Sequence, residues 1–280
     1  MQAFEGGHGR RPVPHGRMPD EPQRPSMQQQ RFNLPVGDRT VPGVFFFDPA
    51  SPGPAPLVLA QHGGSGHKLS QEILDWAEVF TAGLGFVVAA IDGPVHGARR
   101  AVPGARPEEV RADFFAAWKS ADDRVDSMIQ DWQAAIDWLA EQPQVDASAI
   151  GFVGVSMGTA YGLPLVAAEP RIRAAVLGMW GSSFQPAQRL ERDAPRLHCP
   201  VLFQQKLDDE LFSREGQALL FDRIGAADKV LCAYPGGHLR VQGRQLRDQV
   251  AFIAAELNSC RASASAVSMP STPADMMPPA

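Results

Sequence analysis

Ile150-Gly151-Phe152-Val153-Gly154-Val155-Ser156-Met157-Gly158-Thr159 is the stretch that decides the fold. An apolar run ends in Gly-x-Ser-x-Gly, and residues 159–168 then have helical character. Strand, sharp turn and helix in that order present a serine on a strained turn with its hydroxyl exposed. The flanking glycines leave room for the backbone to approach both strand and helix. The following helix directs its N-terminal amides toward the serine and favours negative charge developing there. Serine is also a favoured helix N-cap, so the five residues alone admit a purely structural role. Placement directly after an apolar strand selects Ser156 as a nucleophile.

Outward from this turn, short apolar runs alternate with helical patterns. Residues 57–61, 86–91, 150–154, 174–178, 201–204 and 230–234 read as strands. Helices are expected near 69–82, 123–141, 159–168, 213–224 and 244–257. In the longest, Val125, Met128, Ile129, Trp132, Ile136 and Leu139 form one apolar stripe. Continuous apolar strands between helices predict an α/β fold: a doubly wound, mostly parallel sheet flanked by helices on both faces. Residues 31–34 and 44–47 predict an antiparallel hairpin at one edge. Sites in such sheets form beyond the carboxyl ends of the strands.

The chain has 280 residues, of which 44% are hydrophobic and 20% charged, enough apolar material for one sizeable core. A formal net charge of −5 argues against nucleic acid as a partner, because phosphate neutralisation needs clustered Lys and Arg. Cys199, Cys232 and Cys260 are widely separated and lack zinc-site spacing, so no metal and no disulfide framework is expected. No apolar h-region opens the chain and no apolar run reaches the ~20 residues of a membrane helix. A cytoplasmic, soluble protein without membrane partners is expected. Residues 1–29 and 261–280 are poor in branched apolar residues and are expected to be disordered, flanking a single domain at 30–260.

Three further parts follow in an order that fits the serine. His62-Gly63-Gly64-Ser65-Gly66 comes after the first central strand and can aim backbone N–H groups outward. The Gly64 amide, with that of Met157, is expected to hold an oxyanion. A phosphate loop would need Gly-Lys-Ser/Thr, and Gly66-His67-Lys68-Leu69-Ser70 breaks that triplet. After the strand at 201–204 comes Asp208-Asp209; Asp209 is the expected acid, with Asp208 the alternative or a residue that caps the turn. His238, in Tyr234-Pro235-Gly236-Gly237-His238, is the sole histidine downstream of those acids and the expected base.

The set His62-Gly63-Gly64-Ser65-Gly66, Gly154-x-Ser156-x-Gly158, Asp209 and His238 resembles the α/β-hydrolase superfamily. Within it, the resemblance is to the dienelactone-hydrolase-like and prolyl-oligopeptidase-domain-like serine esterases, over about residues 31–258. It implies the α/β-hydrolase fold with little or no cap domain, since residues 179–200 leave small room for one. It further implies a cofactor-independent serine hydrolase that cleaves small-to-medium carboxylic esters through an acyl-enzyme, with Ser156, His238 and Asp209 as its triad. Dienelactone hydrolases themselves carry cysteine as nucleophile, so serine here favours ordinary ester chemistry. Thioesterase, acyltransferase and peptidase activity stay open on the same triad. A non-catalytic binding protein is the alternative from another class, opposed by the intact order of the parts.

Asp92-Gly93-Pro94-Val95-His96-Gly97-Ala98-Arg99 resembles the loop these enzymes carry at the active-site mouth. His62, Ser65, His96 and Trp180 are the expected pocket residues, with packing under a loop an equal alternative for Trp180. Phe114, Phe115 and Trp118 in the excursion 96–123 are a candidate partial lid. Arg99 and Arg100 are candidates for recognising an acidic ester.

Overall fold

The computed structural model describes residues 27–119 and 122–267. Most of the two terminal segments expected to be disordered, 1–26 and 268–280, lies outside the described residues. In chain order the elements begin with β1 Gln28–Val36, β2 Arg39–Phe47, β3 Ala55–Ala60 and α1 Gln71–Ala77, which runs into a π-helical turn at Glu78–Ala82. β4 Val87–Ile91, α2 Pro107–Trp118, α3 Asp122–Ala140, β5 Val145–Val153 and α4 Met157–Ala168 follow. β6 Ile172–Gly178, α5 Gln188–Asp193, β7 Val201–Lys206, α6 Arg214–Arg223, β8 Lys229–Tyr234 and α7 Gly243–Val267 complete the series. Ordered structure passes both expected domain limits, since β1 begins at Gln28 and α7 continues to Val267.

The eight strands form one sheet in the order β1-β2-β4-β3-β5-β6-β7-β8. β1 and β2 are the antiparallel hairpin, pairing Arg31 with Val44, and β2 is antiparallel to β4. All other pairings are parallel. Gly37 sits in the hairpin turn at φ +60°, where residues with a Cβ are rarely found. Because side chains alternate across a strand, each central strand feeds two cores. Leu57 and Leu59 of β3 pack with Trp132 and Ile136 of α3 and with Ala160 of α4. Val58 and Ala60 pack on the opposite face with Ile73 and Trp76 of α1 and Ile253 and Leu257 of α7. Val125, Met128, Trp132, Ile136 and Leu139 are all buried, as the helical stripe requires. Each such side chain contributes about 1.5–3 kcal/mol by leaving water.

Two helices were not anticipated, the short α5 and a longer one that follows β4. Residues of the excursion after β4 form α2, entered by Pro107 with Glu108 and Glu109 in its first turn. Its buried side chains Val110, Phe114, Ala117 and Trp118 follow helical spacing. This single helix is the only covering over the sheet's carboxyl edge of any length among the described residues, since β6 and β7 are joined by the short α5 and one 3-10 turn. Strand order reverses around β3, with β4 on one side and β5 on the other. Loops leaving β3 and β5 therefore diverge and open a crevice at their carboxyl ends. Among the described residues, no helix is long and apolar enough to cross a membrane.

Candidate active site

Ser156 lies directly between β5 and α4 at φ +59°, ψ −122°, a backbone conformation that a residue with a Cβ adopts only under constraint. Its amide donates to Gly178 O at 2.9 Å, and its carbonyl accepts from Thr159 N at 2.8 Å. The Thr159 hydroxyl donates to Gly178 O at 2.6 Å, and the Gly178 amide donates to Thr159 Oγ1 at 2.7 Å. The elbow is thus stitched to the end of β6. Both flanking glycines are sterically required. A Cβ on Gly158 would stand 2.8 Å from Gln61 O, and one on Gly154 would stand 3.0 Å from the Cα of Gly158 and from the Phe152 ring.

Two loops bring polar side chains to this serine. His238 Nε2 is 2.9 Å from Ser156 Oγ, and His238 Nδ1 is 2.9 Å from Asp209 Oδ2. Asp209 is fully buried at its side chain, and its other oxygen accepts the amides of Leu211 and Phe212, each at 2.9 Å. Three acceptor contacts fix the orientation of this carboxylate. Asp208 points elsewhere: its Oδ2 accepts the Gly236 amide at 3.1 Å, tying the β7 loop to the histidine loop. Of the two expected acids, Asp209 is the one whose carboxylate meets His238.

Glu210, which sequence reasoning missed, accepts the backbone N–H of His238 at 2.8 Å. That N–H is the main cause holding the Glu210 carboxyl below its ordinary range. Gly237 is needed beside it, because a Cβ there would stand 2.7 Å from Glu210 Oε2.

On the other side, the amides of Gly64 and Met157 take no partner in any hydrogen bond among the described residues. His62 is fully buried; its Nε2 accepts from the Gly93 amide at 3.0 Å, so its Nδ1 carries the proton and donates to Gly63 O at 2.8 Å. Burial, then the neighbouring His96, pushes His62 down to about 3, and it stays neutral. His96 is fully buried with Nε2 3.0 Å from Gly64 O and Nδ1 2.6 Å from Pro94 O, its pKa lowered chiefly by burial. Glu72 of α1 accepts the Gly63 amide at 2.9 Å. Burial pushes its carboxyl up to about 7, against the opposing pull of that N–H and of Arg240.

A cleft of about 300 Å³ opens over the serine, lined by Gly64, Ser65, Glu72, Phe114, Phe115, Ser156, Met179, Leu211 and His238, with Arg111 and Arg240 also on its wall. Of the four expected pocket residues, Ser65 lines this cleft and His62, His96 and Trp180 do not. All three are fully buried behind it. The histidines are spent on backbone carbonyls of the glycine loop. Trp180 packs among Phe184, Phe212, Phe115 and Trp118, with ring centroids 4.6–6.5 Å away. Phe114 and Phe115 of α2 form the wall in its place. Arg99 and Arg100 are likewise turned from the cleft: Arg99 pairs with buried Asp131 at 2.7 Å, and Arg100 with Asp113 at 2.8 Å. Among the described residues, no group of three His, Cys, Asp or Glu side chains is disposed to hold a metal ion.

A model of the dienelactone hydrolase family matches residues 43–238. A cold-adapted esterase from an Arctic intertidal metagenomic library, solved with bound polyethylene glycol, is 33% identical over 83% of this chain and 95% of its own, with a TM-score of 0.73. An acetyl xylan esterase from a Paenibacillus species is 18% identical over 86% of this chain and 87% of its own, with a TM-score of 0.63. A dienelactone hydrolase-like promiscuous phosphotriesterase from metagenomic libraries is 22% identical over 86% of this chain and 97% of its own, with a TM-score of 0.58. The last two likenesses speak for the fold alone. No curated protein matches the chain.

Proposed function

The chain belongs to the dienelactone hydrolase family, and from that membership we propose that it is a serine hydrolase of small-to-medium carboxylic esters. The observation that carries this reading is the unbroken polar relay from Ser156 Oγ through His238 to Asp209, each step 2.9 Å. In the proposed reaction His238 Nε2 takes the Ser156 proton as Oγ attacks the ester carbonyl carbon. Asp209, bound to Nδ1–H, fixes the tautomer and stabilises the imidazolium. The Gly64 and Met157 amides receive the oxyanion of the tetrahedral intermediate. Collapse expels the alcohol, which takes the proton from His238, and leaves Ser156 acylated. Water, deprotonated by His238, then attacks the acyl-enzyme and releases the acid.

The esterase relative at 33% identity supports ester as the substrate class. A cleft of about 300 Å³ walled by Phe114, Phe115, Met179 and Leu211 suits an apolar acyl group of modest length. Initial rates on p-nitrophenyl acetate, butyrate and longer esters test the proposal. Turnover is expected on the short esters, falling with chain length, and Ser156→Ala should reduce it by about 10⁴-fold or more. Turnover that survives Ser156→Ala would overturn the proposed nucleophile.

A further inference from the structure

The Gly63-Gly64-Ser65-Gly66 loop is rich in glycine and has little preference of its own for one conformation. An oxyanion donor works only if its N–H is aimed before the charge develops. The orientation must therefore come from outside the loop. Phe114 bears on Gly64, where a Cβ would stand 3.1 Å from the ring, and His62 and His96 sit against the two carbonyls. Only one outside side chain accepts a backbone N–H of Gly63 or Gly64, and that is Glu72 at 2.9 Å among the described residues.

Glu72 stands in the first turn of α1, where an acid ordinarily serves its own helix. Here it reaches back nine residues to the loop instead. It also lines the cleft that holds Ser156 and His238. Packing does not call for a carboxyl there, because α1 is anchored by Ile73 and Trp76 on its buried face. A carboxyl in that position carries a desolvation penalty that an apolar residue would avoid.

We propose that Glu72 is a positioning residue of the oxyanion hole: by holding the Gly63 N–H from outside the loop, it turns the next amide, that of Gly64, toward the oxyanion formed on Ser156. The inference rests on the proposed triad. It predicts a specific division of effects. Gly63 N–H never touches substrate in this scheme, so ground-state binding is largely indifferent to Glu72, whereas the transition state is not.

The test uses the full chain with Glu72→Ala, Glu72→Asp and Glu72→Gln. Glu72→Ala removes the acceptor, and Glu72→Asp keeps a carboxyl but withdraws it by one methylene. Both should lower kcat roughly tenfold or more with KM within about twofold, set against the about 10²–10³ for full loss of an oxyanion donor. Binding of a trifluoromethyl ketone, which forms a hemiketal oxyanion on the serine, should weaken by the same factor as kcat. Glu72→Gln still offers an amide oxygen to Gly63 and should restore kcat to within about threefold of the original chain. Native kcat in Glu72→Asp, a loss confined to KM, or equal losses in Glu72→Gln and Glu72→Ala would overturn the assignment. Ser156→Ala run alongside separates the two readings: inactivity there with an unaffected Glu72→Asp leaves the triad standing and removes only Glu72.

Discussion

The two sides of the cleft at Ser156 are held in different ways. The acid and histidine loops brace each other locally: Leu207 N donates to Tyr234 O, Asp208 N to Gly236 O, and the Asp208 and Glu210 carboxylates accept the amides of Gly236 and His238. Neighbouring parallel strands β7 and β8 deliver both loops, so their pairing extends the sheet's own hydrogen bonding. The glycine loop has only one short turn of its own, Gly66 N to Gly63 O. It depends on side chains from α1, the β4 loop and α2. Geometry near His238 is thus a property of the sheet, while geometry near Gly64 is a property of packing around it.

That contrast predicts unequal sensitivity to substitution. The largest effect is expected where a side chain is itself part of the relay. Asp209→Asn keeps the amides of Leu211 and Phe212 satisfied but stabilises the wrong histidine tautomer, so kcat should fall about 10³–10⁴-fold with little change in melting temperature. A loss below tenfold would mean that Asp209 does not orient His238. A much smaller effect is expected one residue on. Glu210 is open to solvent, and water can replace it on the His238 amide, so Glu210→Ala should cost about 2–5-fold in kcat/KM. A loss as large as that of Asp209→Asn would show that the histidine loop depends on one side chain after all, erasing the contrast.

The smallest effect concerns stability and pH. Glu72 has an ordinary value of 4.5 and lies at about 7 in the folded chain. Between those values the folded state holds a proton that the unfolded chain has released, so this group makes stability fall as pH rises through that window. Glu72→Gln does not titrate there. Its melting temperature should therefore gain on the original chain by a few degrees between about pH 4.5 and above 7. His62 has the opposite sign: lowered to about 3, it makes the folded state lose stability as pH falls below 6.5. A melting-temperature difference between Glu72→Gln and the original chain that stays flat from pH 5 to 8 would contradict the buried-carboxyl account.

The same contrast explains which parts were legible in the sequence. Ser156, Asp209 and His238 each follow a strand whose apolar run is visible, and each sits in a short local pattern. The strands of the parallel sheet and the β1–β2 hairpin were readable for the same reason, since β-branched and aromatic runs such as residues 44–47 have one sensible environment. Supports of the glycine loop were not readable. Glu72 lies nine residues from its partner and His96 lies 32, and their meeting depends on how α1 and the β4 loop fold over the sheet edge. His62, His96 and Trp180 looked like pocket residues because polar and aromatic side chains near a strand's carboxyl end commonly are. Their satisfied partners or close packing, which only tertiary structure reveals, take them out of the cleft. Helix α2 did carry a signal, in Pro107 followed by two acids and the spacing of Val110, Phe114, Ala117 and Trp118.

The central claim is that Ser156 is an activated nucleophile, made so by a strained turn and His238. Labelling with a fluorophosphonate, followed by mass mapping of the adduct, tests this most directly. A single stoichiometric adduct on Ser156 is expected, formed rapidly in the original chain and far more slowly in His238→Ala. An unlabelled Ser156, or equal labelling rates with and without His238, would contradict it.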